Sequence, residues 1–287
     1  MSSEKNKIVK STLYLVATPI GNLADISERA IKTLSEVDFI AAEDTRNSVR
    51  LLMALGIKKE LVSYHEHNKK SSGERLVARL LSGESCALIT DAGMPAISDP
   101  GEDIVRLCAD AGITVTVVPG ACAAVSALSL SALATSRFAF EGFLSANKSE
   151  RKKRLDVVKN DDRTLIFYEA PHKLKATLAD MALAFGAERK ISLCRELTKL
   201  NEEIMRTDLG RAVEFYNQNE PRGEYVLIVE GFSGEVVCDE VLELVSLSPE
   251  EHVKRYEDQG LGRMDAIKKA AKDRGMSKSE LYKILNT

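Results

Sequence analysis

Five times in its first 130 residues the chain runs through a short apolar stretch and then an amphipathic one. "TLYLVAT" (12–18) precedes "ISERAIKTLSEV" (26–37), in which Ile26, Ala30, Leu34 and Val37 recur on one helical face. "DFIAAE" precedes "NSVRLLMAL", "LVSY" precedes "GERLVARLLS", "CALIT" precedes "EDIVRLCADA", and "ITVTVVP" precedes "CAAVSALSLSAL". A strand that returns through a helix lies parallel to the strand before it. The repeat therefore predicts a mostly parallel sheet with helices on both faces.

Beyond Arg137 the rhythm changes. "RFAFEGF", "RTLIFYEA", "KISLCREL", "EEIMRT" and "EYVLIVEG" are interrupted by only three helical stretches, near 148–159, 171–185 and 208–217. Strands that follow one another directly predict a mixed sheet. With 287 residues there is room for two such layers and an appendage. The expected fold is α/β, with two α/β domains sharing a cleft and a small helical C-terminal appendage. The expected boundaries are a flexible N-terminus at 1–11, a first domain at 12–120, a second at 121–234, and a linker with a helical tail at 235–287.

In such a fold ligands bind just past the carboxyl ends of the strands. "LITDAGMPAISDPG" (88–101) leaves a strand there, and Pro95 and Pro100 cannot continue it. "VATPIGN" (16–22) makes a second such turn, but lacks both G-x-G-x-x-G and G-x-x-x-x-G-K-[ST]. Dinucleotide and nucleoside-triphosphate readings lose their main support with them. "VVPGACAAVSAL" (117–128) makes a third, where small residues leave helix N-terminal amides accessible. Any one of these could be an ordinary strand-to-helix turn. Together they offer small residues, backbone groups and the carboxylate of Asp91, which suits a neutral planar ligand with a ribose and a cationic end.

Charge adds local information only, because the net charge of -3 carries no whole-chain signature of nucleic-acid binding. Two segments stand out. "KSERKKR" (148–154) has five basic residues and one acid, and the tail from Leu261 has seven basic and three acidic residues, a local charge of 7 - 3 = +4. The tail reads as a helix, a turn at Gly275, a cap at Ser277 and a second helix, a helix-turn-helix-like pair. A solvated face is the ordinary role of such runs, and phosphate contact the functional one. The five cysteines are scattered through apolar runs and read as reduced small hydrophobes. "MSSEKNKIVK" is no secretory signal, and the uncharged run from Ile113 to Ser136 is broken by Pro119-Gly120, against a membrane span.

Several polar segments also sit at strand ends. "AAEDTRNS" (41–48) gathers Glu43, Asp44, Thr45 and Arg46, and "YHEHN" (64–68) carries two histidines without a further His or Cys nearby, so no metal is expected. Tyr168 of "FYEAPHKL" could stack on a base, and Glu224 after Gly223 could read an adenine edge through its backbone. "CRELTK" adds Glu196 and Lys199. For each of these a buried polar network is the rival reading.

In order along the chain, "VATPIGNLADIS", "AAEDTRNS", "HEHN", "DAGMPAISDPG", "PGACAA", "FYEAPHKL", "RELTK" and "GEYVLIVEG" resemble the bacterial ribosomal RNA small subunit methyltransferase I family of the tetrapyrrole methylase superfamily. Ala121 stands where that pattern would place a proline or similar residue. The resemblance spans about Leu13 to Gly231. It implies two α/β domains of the tetrapyrrole methylase type, S-adenosyl-L-methionine in the cleft, a homodimer, and a cytoplasmic protein without metal or membrane partner. More narrowly, it implies 2'-O-methylation of a cytidine ribose in the decoding region of small-subunit (16S) ribosomal RNA, within the small ribosomal subunit. On this reading Pro19, Asp91, Ala92, Gly93, Met94, Cys122, Ala123, Tyr168, Glu196, Gly223 and Glu224 bind the cofactor. Asp44 or His65 takes the proton, with Glu43 and Arg46 beside them and Arg46 on a phosphate. Asn68, Lys148, Arg151, Lys152, Lys199, Lys268, Lys269 and Lys272 meet RNA. The rivals are a small-molecule tetrapyrrole methylase and a cofactor-sensing RNA-binding module without turnover.

Overall fold

The five apolar runs of the first half form β1 (Thr12–Val16), β2 (Phe39–Ala42), β3 (Glu60–Ser63), β4 (Cys86–Ile89) and β5 (Thr114–Val118). All pair in parallel, in the order β3-β2-β4-β1-β5. In this computed structural model residues 7–234 and 244–285 are described. Residues 1–6, most of the expected linker and Cys238 lie outside them.

The strand period of two sorts the side chains onto two faces. Leu13, Phe39 and Leu88 pack with Leu76 and Leu80 of α3 (Lys69–Leu81) and Ile104 of α4 (Gly101–Asp110). Val16, Ile40 and Ala87 pack with Ala30 and Leu34 of α1 (Glu28–Glu36) and Leu52 of α2 (Thr45–Ala54). Both faces of β2 and β4 are covered, which is why they read as unbroken apolar runs. Burial also pushes the Cys86, Cys108 and Cys194 thiols up, so they pack as hydrophobes rather than react.

The second sheet comprises β6 (Phe138–Phe143), β7 (Thr164–Glu169), β8 (Lys190–Arg195), β9 (Glu203–Asp208) and β10 (Tyr225–Val229), in the order β6-β7-β10-β8-β9. Only β6 and β7 run parallel. One face packs on α6 (Lys148–Val158), α7 (Pro171–Phe185) and α8 (Leu209–Gln218) through Leu155, Leu178, Met181 and Ala212. The other face receives α5 (Ala123–Leu130), whose Ala124, Ala127 and Leu128 meet Ile166, Val226 and Ile228. The helix that leaves the first sheet thus packs on the second, and both sheets fall within the unit Met1–Phe232.

Ser233–Thr287 forms a separate unit. Its helices α9 (Pro249–Asp258), α10 (Arg263–Asp273) and α11 (Lys278–Ile284) close around Val253, Tyr256, Ile267 and Leu281. Reciprocal capping boxes, Ser248 with Glu251 and Ser277 with Glu280, start α9 and α11. His252 is fully buried there and its Nδ1 accepts from Arg274 Nε at 3.1 Å. Burial and the Arg274 charge hold the imidazole below its ordinary pKa. Among the described residues no helix is long and apolar enough to cross a membrane.

Candidate functional site

A parallel sheet delivers all its strand ends to one edge. The strand order sets Glu43 and Asp44 after β2 beside Thr90 and Asp91 after β4, with Thr18 and Pro19 next after β1. The turns are tied to each other. Thr18 and Gly93 exchange backbone hydrogen bonds at 2.9 and 3.1 Å, and the buried Thr18 hydroxyl donates to Thr90 O at 3.2 Å. Gly93 has φ +84°, and a Cβ there would sit 3.2 Å from Ile20 Cγ2, so the turns close only around glycine.

The two aspartates of "DAGMPAISDPG" have separate tasks. Asp99 builds the loop, accepting from the backbone N–H groups of Ala96 at 3.0 Å, Ile97 at 3.2 Å and Gly101 at 2.7 Å. Asp91 is left to the cavity wall, where it accepts from Asn47 Nδ2 at 3.0 Å. The loop is strained as well, with Ala96 at φ 68° and Ser98 at φ 67°. Across the cavity the "RELTK" loop repeats this, with Glu196 at φ 50° and Thr198 at φ 66°. Each such residue costs on the order of 1–3 kcal/mol, and strain of this kind gathers at ligand clamps and active sites.

Between the two sheets lies a cavity of about 470 Å³. Asp91, Ala92, Gly93, Met94, Cys122, Ala123, Tyr168, Glu196 and Glu224 all line it, together with Glu43 and Lys199. Ile20, Leu197 and Val226 supply apolar wall. Of the residues expected at the cofactor, Pro19 and Gly223 do not line it; each adjoins a residue that does.

Four of the expected roles change in detail. Tyr168 is tied to α5 as well as lining the cavity, because its hydroxyl accepts from Ala124 N at 3.2 Å and so caps that helix. Its ring stands edge-on to Phe140 and Phe143, and burial pushes its pKa up to about 12. The Glu224 backbone is already engaged within the protein: its N–H donates to Glu196 Oε1 and its C=O accepts from Glu196 N, both at 2.9 Å. Lys199, expected at RNA, is turned to the cavity wall, its Nζ 2.9 Å from Glu196 Oε1 and 2.8 Å from Glu224 Oε2. These partners, the lysine first, hold the Glu196 carboxyl below its ordinary range. Arg151 is buried, with its guanidinium 2.7 Å from Asp180, and so is removed from the basic face that leaves Lys148, Lys152 and Lys153 exposed.

The polar groups divide as sharply. Asp44 caps α2 through Arg46 N at 2.8 Å and is gripped by the Arg46 guanidinium at 3.0 and 2.6 Å. That pairing holds its carboxyl down to about 2, too weak a base to favour as proton acceptor. Glu43 is better placed: it lines the cavity and accepts from the buried Thr90 hydroxyl at 2.6 Å. Asn68 is spent on its own loop, accepting from His65 N at 2.8 Å and donating to Ser63 O at 3.2 Å. His65 lies outside the cavity lining, and its Nδ1 is buried without a hydrogen-bond partner. Thr90, Asn47, Ile97, Phe143 and Glu169 join the site without having been named as candidate residues. Thr90, Asn47, Ile97 and Glu169 lie within motifs already singled out, whereas Phe143 depends on a strand irregularity that alternation does not reveal. Among the described residues no group of three or more His, Cys, Asp or Glu is placed to hold a metal ion.

The profile of the family described as Tetrapyrrole (Corrin/Porphyrin) Methylases matches residues 12–213. The chain is 51% identical over 275 residues to the ribosomal RNA small subunit methyltransferase I of Halalkalibacterium halodurans, covering 96% of this chain and 94% of that one. It is 48% identical to the protein of the same name from Bacillus subtilis, covering 94% and 92%. Among solved structures, a diphthine synthase superposes with a TM-score of 0.59 at 14% identity, over 77% of this chain and 89% of that one. A uroporphyrin-III-C-methyltransferase from Thermus thermophilus gives 0.54 at 21%, over 77% and 94%. At these identities the two structures share the fold.

Proposed function

The chain belongs to the tetrapyrrole methylases, and within them to the ribosomal RNA small subunit methyltransferase I family, and from that premise we propose that it is an S-adenosyl-L-methionine-dependent methyltransferase acting on the 2'-hydroxyl of a cytidine ribose in the decoding region of small-subunit ribosomal RNA. The observation that carries this reading is the meeting of Asp91, the turns at 92–94 and 122–123, and the Glu43 carboxylate around one cavity. Its volume suits a single nucleoside-sized ligand.

Asp91 and the backbone of Ala92–Met94 and Cys122–Ala123 would hold the cofactor, with Ile20, Leu197 and Val226 against its apolar parts. When bound, S-adenosylmethionine supplies a sulfonium-activated methyl group. The nucleophile is the ribose hydroxyl, a very weak acid, so its proton needs an acceptor as the oxygen attacks. Glu43 takes that role, its carboxylate oriented by Thr90 and its second oxygen left for the proton. The walls contribute alignment, and holding nucleophile and electrophile in line is worth many orders of magnitude. Asp91→Ala should weaken S-adenosylmethionine binding by about 10- to 100-fold, the scale of a lost hydrogen bond to a charged group. Calorimetric titration reads it, and an unchanged affinity would remove Asp91 from the cofactor site.

The tail is proposed to grip phosphates. Lys268, Lys269 and Lys272 are exposed on α10, with Lys269 Nζ 4.4 Å from the Tyr256 ring centroid. Replacing all three by Ala should flatten the salt dependence of subunit binding by roughly one unit of slope per lost contact. Cofactor affinity should stay as it was. An unchanged slope would assign the tail another task, such as supporting the cytoplasmic homodimer that the same premise implies. The activity itself is tested with small subunits from a strain lacking this protein, incubated with methyl-labelled cofactor. Label at one cytidine 2'-oxygen is the expected result. Label absent from RNA but transferred to a tetrapyrrole would favour the small-molecule reading instead.

A further inference from the structure

β6 carries an irregularity with a consequence for the cavity. Its residues pair with β7 in step up to Phe140↔Ile166, and then Gly142, not Glu141, pairs with Phe167. Glu141 is therefore an extra residue, a β-bulge, and Gly142 sits at φ +66°. Paired residues of parallel strands face the same side. Phe140 accordingly shares the α5 face with Ile166, and Phe143 shares that face with Tyr168. Had the pairing stayed in step, with Glu141 opposite Phe167, Phe143 would fall opposite Glu169 and turn to the other face, into the core under α6 and α7. The bulge is held in place: Glu141 is nearly buried and accepts from Arg154 Nε at 2.7 Å.

What the bulge delivers is an aromatic ring at the cavity that remains 55% exposed. Tyr168, stacked edge-on at 5.4 Å, fixes its angle. β6 is an edge strand, and the helix that follows it carries the exposed Lys148 and Lys152. Ile97, 44% exposed, is a second large apolar side chain on the cavity lining, contributed by the first half. Neither side chain is consumed by the cofactor and proton-acceptor roles already given. An exposed ring beside a nucleic-acid channel is the means by which proteins hold an unstacked base, since every base has a π-face.

We infer that Phe143 is the stacking platform for a base of the RNA substrate at the target nucleotide, re-aimed to the cavity by the Glu141 bulge. This rests on the RNA-methyltransferase reading above. The ring positions the base, and through it the ribose hydroxyl, without taking part in proton transfer.

The test compares Phe143→Ala, Phe143→Leu and Phe143→Tyr in single-turnover transfer to unmodified small subunits, with cofactor affinity measured separately. Phe143→Ala should raise the subunit concentration for half-maximal rate by about 5- to 100-fold, the range expected for one lost base stack. Cofactor affinity should hold, Phe143→Tyr should restore the wild-type value, and Phe143→Leu, which keeps apolar packing, should not. Weakened cofactor binding with an unmoved subunit requirement would overturn the inference and make the ring an adenine contact. Equal behaviour of the Leu and Tyr variants would overturn it in favour of simple packing. A wild-type protein that transfers no methyl to subunits would remove the underlying activity reading, and this inference with it. An active wild type with an indifferent Phe143→Ala would remove the inference alone.

Discussion

Glu43→Gln should slow single-turnover methyl transfer by about two to four orders of magnitude, with S-adenosylmethionine affinity intact. Glutamine keeps the shape and, through its carbonyl oxygen, can still accept from the Thr90 hydroxyl that lies 2.6 Å from Glu43 Oε2. It loses only basicity. Asp44→Asn is the control, because the two carboxylates are adjacent in sequence and differ in what holds them. Arg46 keeps Asp44 ionised down to about pH 2, against an ordinary value of 3.8. A depressed pKa of this sign favours the folded state above the ordinary value, and that contribution is lost as pH falls through the folded one. Asp44 therefore stays charged across any working pH and cannot produce an acid limb in the rate profile. Asp44→Asn should therefore keep most of the rate that Glu43→Gln loses. Wild-type rates in Glu43→Gln would leave the proton to solvent and the catalysis to alignment.

The sequence reading favours Asp44 or His65 over Glu43 as the base, and the reason is local. "EDTR" shows an acid two residues before an arginine, but not that Asp44 is the helix cap and that Arg46 folds back onto it. Neighbours in sequence can be read; which of two neighbours faces the cavity depends on where the strand stops. The strand ends themselves were legible. Unbroken apolar runs followed by Pro- and Gly-rich turns marked β1, β4 and β5, and the parallel rhythm brought those turns to one edge. Small residues at 92–93 and 121–124 announced a place where a ligand meets backbone. Long-range partners were not legible. Nothing local tells that Lys199 is shared by Glu196 and Glu224, or that Tyr168 caps a helix from the other half of the unit. The bulge at Glu141 was hidden for a related reason: "FAFEGF" reads the same whether it pairs in step or with one residue bulged out, and the choice reverses the face of everything after it.

Arg151 shows the same limit with a measurable consequence, since "KSERKKR" offers no sign of which of its five basic residues turns inward. Helical spacing does: Arg151, Leu155 and Val158 share the buried face of α6, and Asp180 on α7 stands opposite. The guanidinium lies 2.7 Å from that carboxylate, and its NH1 also donates to Ser145 O at 3.1 Å and Ala146 O at 3.3 Å. Removing one partner of a buried pair strands the other charge, at a cost of about 3–5 kcal/mol. Asp180→Ala should therefore lower the melting temperature by on the order of 10 °C, given a shift of roughly 2–4 °C per kcal/mol for a unit of this size. Much of the cost is the stranded charge rather than the lost attraction. The double replacement Arg151→Met with Asp180→Leu should accordingly recover a large part of the loss, a non-additivity that a thermal-melt cycle measures directly. Lys152→Ala, one position along and exposed, should leave the melt within about 0.5 kcal/mol of wild type. Asp180→Ala melting within a degree of wild type would show that the pair is not structural. Arg151→Ala that melts normally yet flattens the salt dependence of RNA binding would return Arg151 to the phosphates.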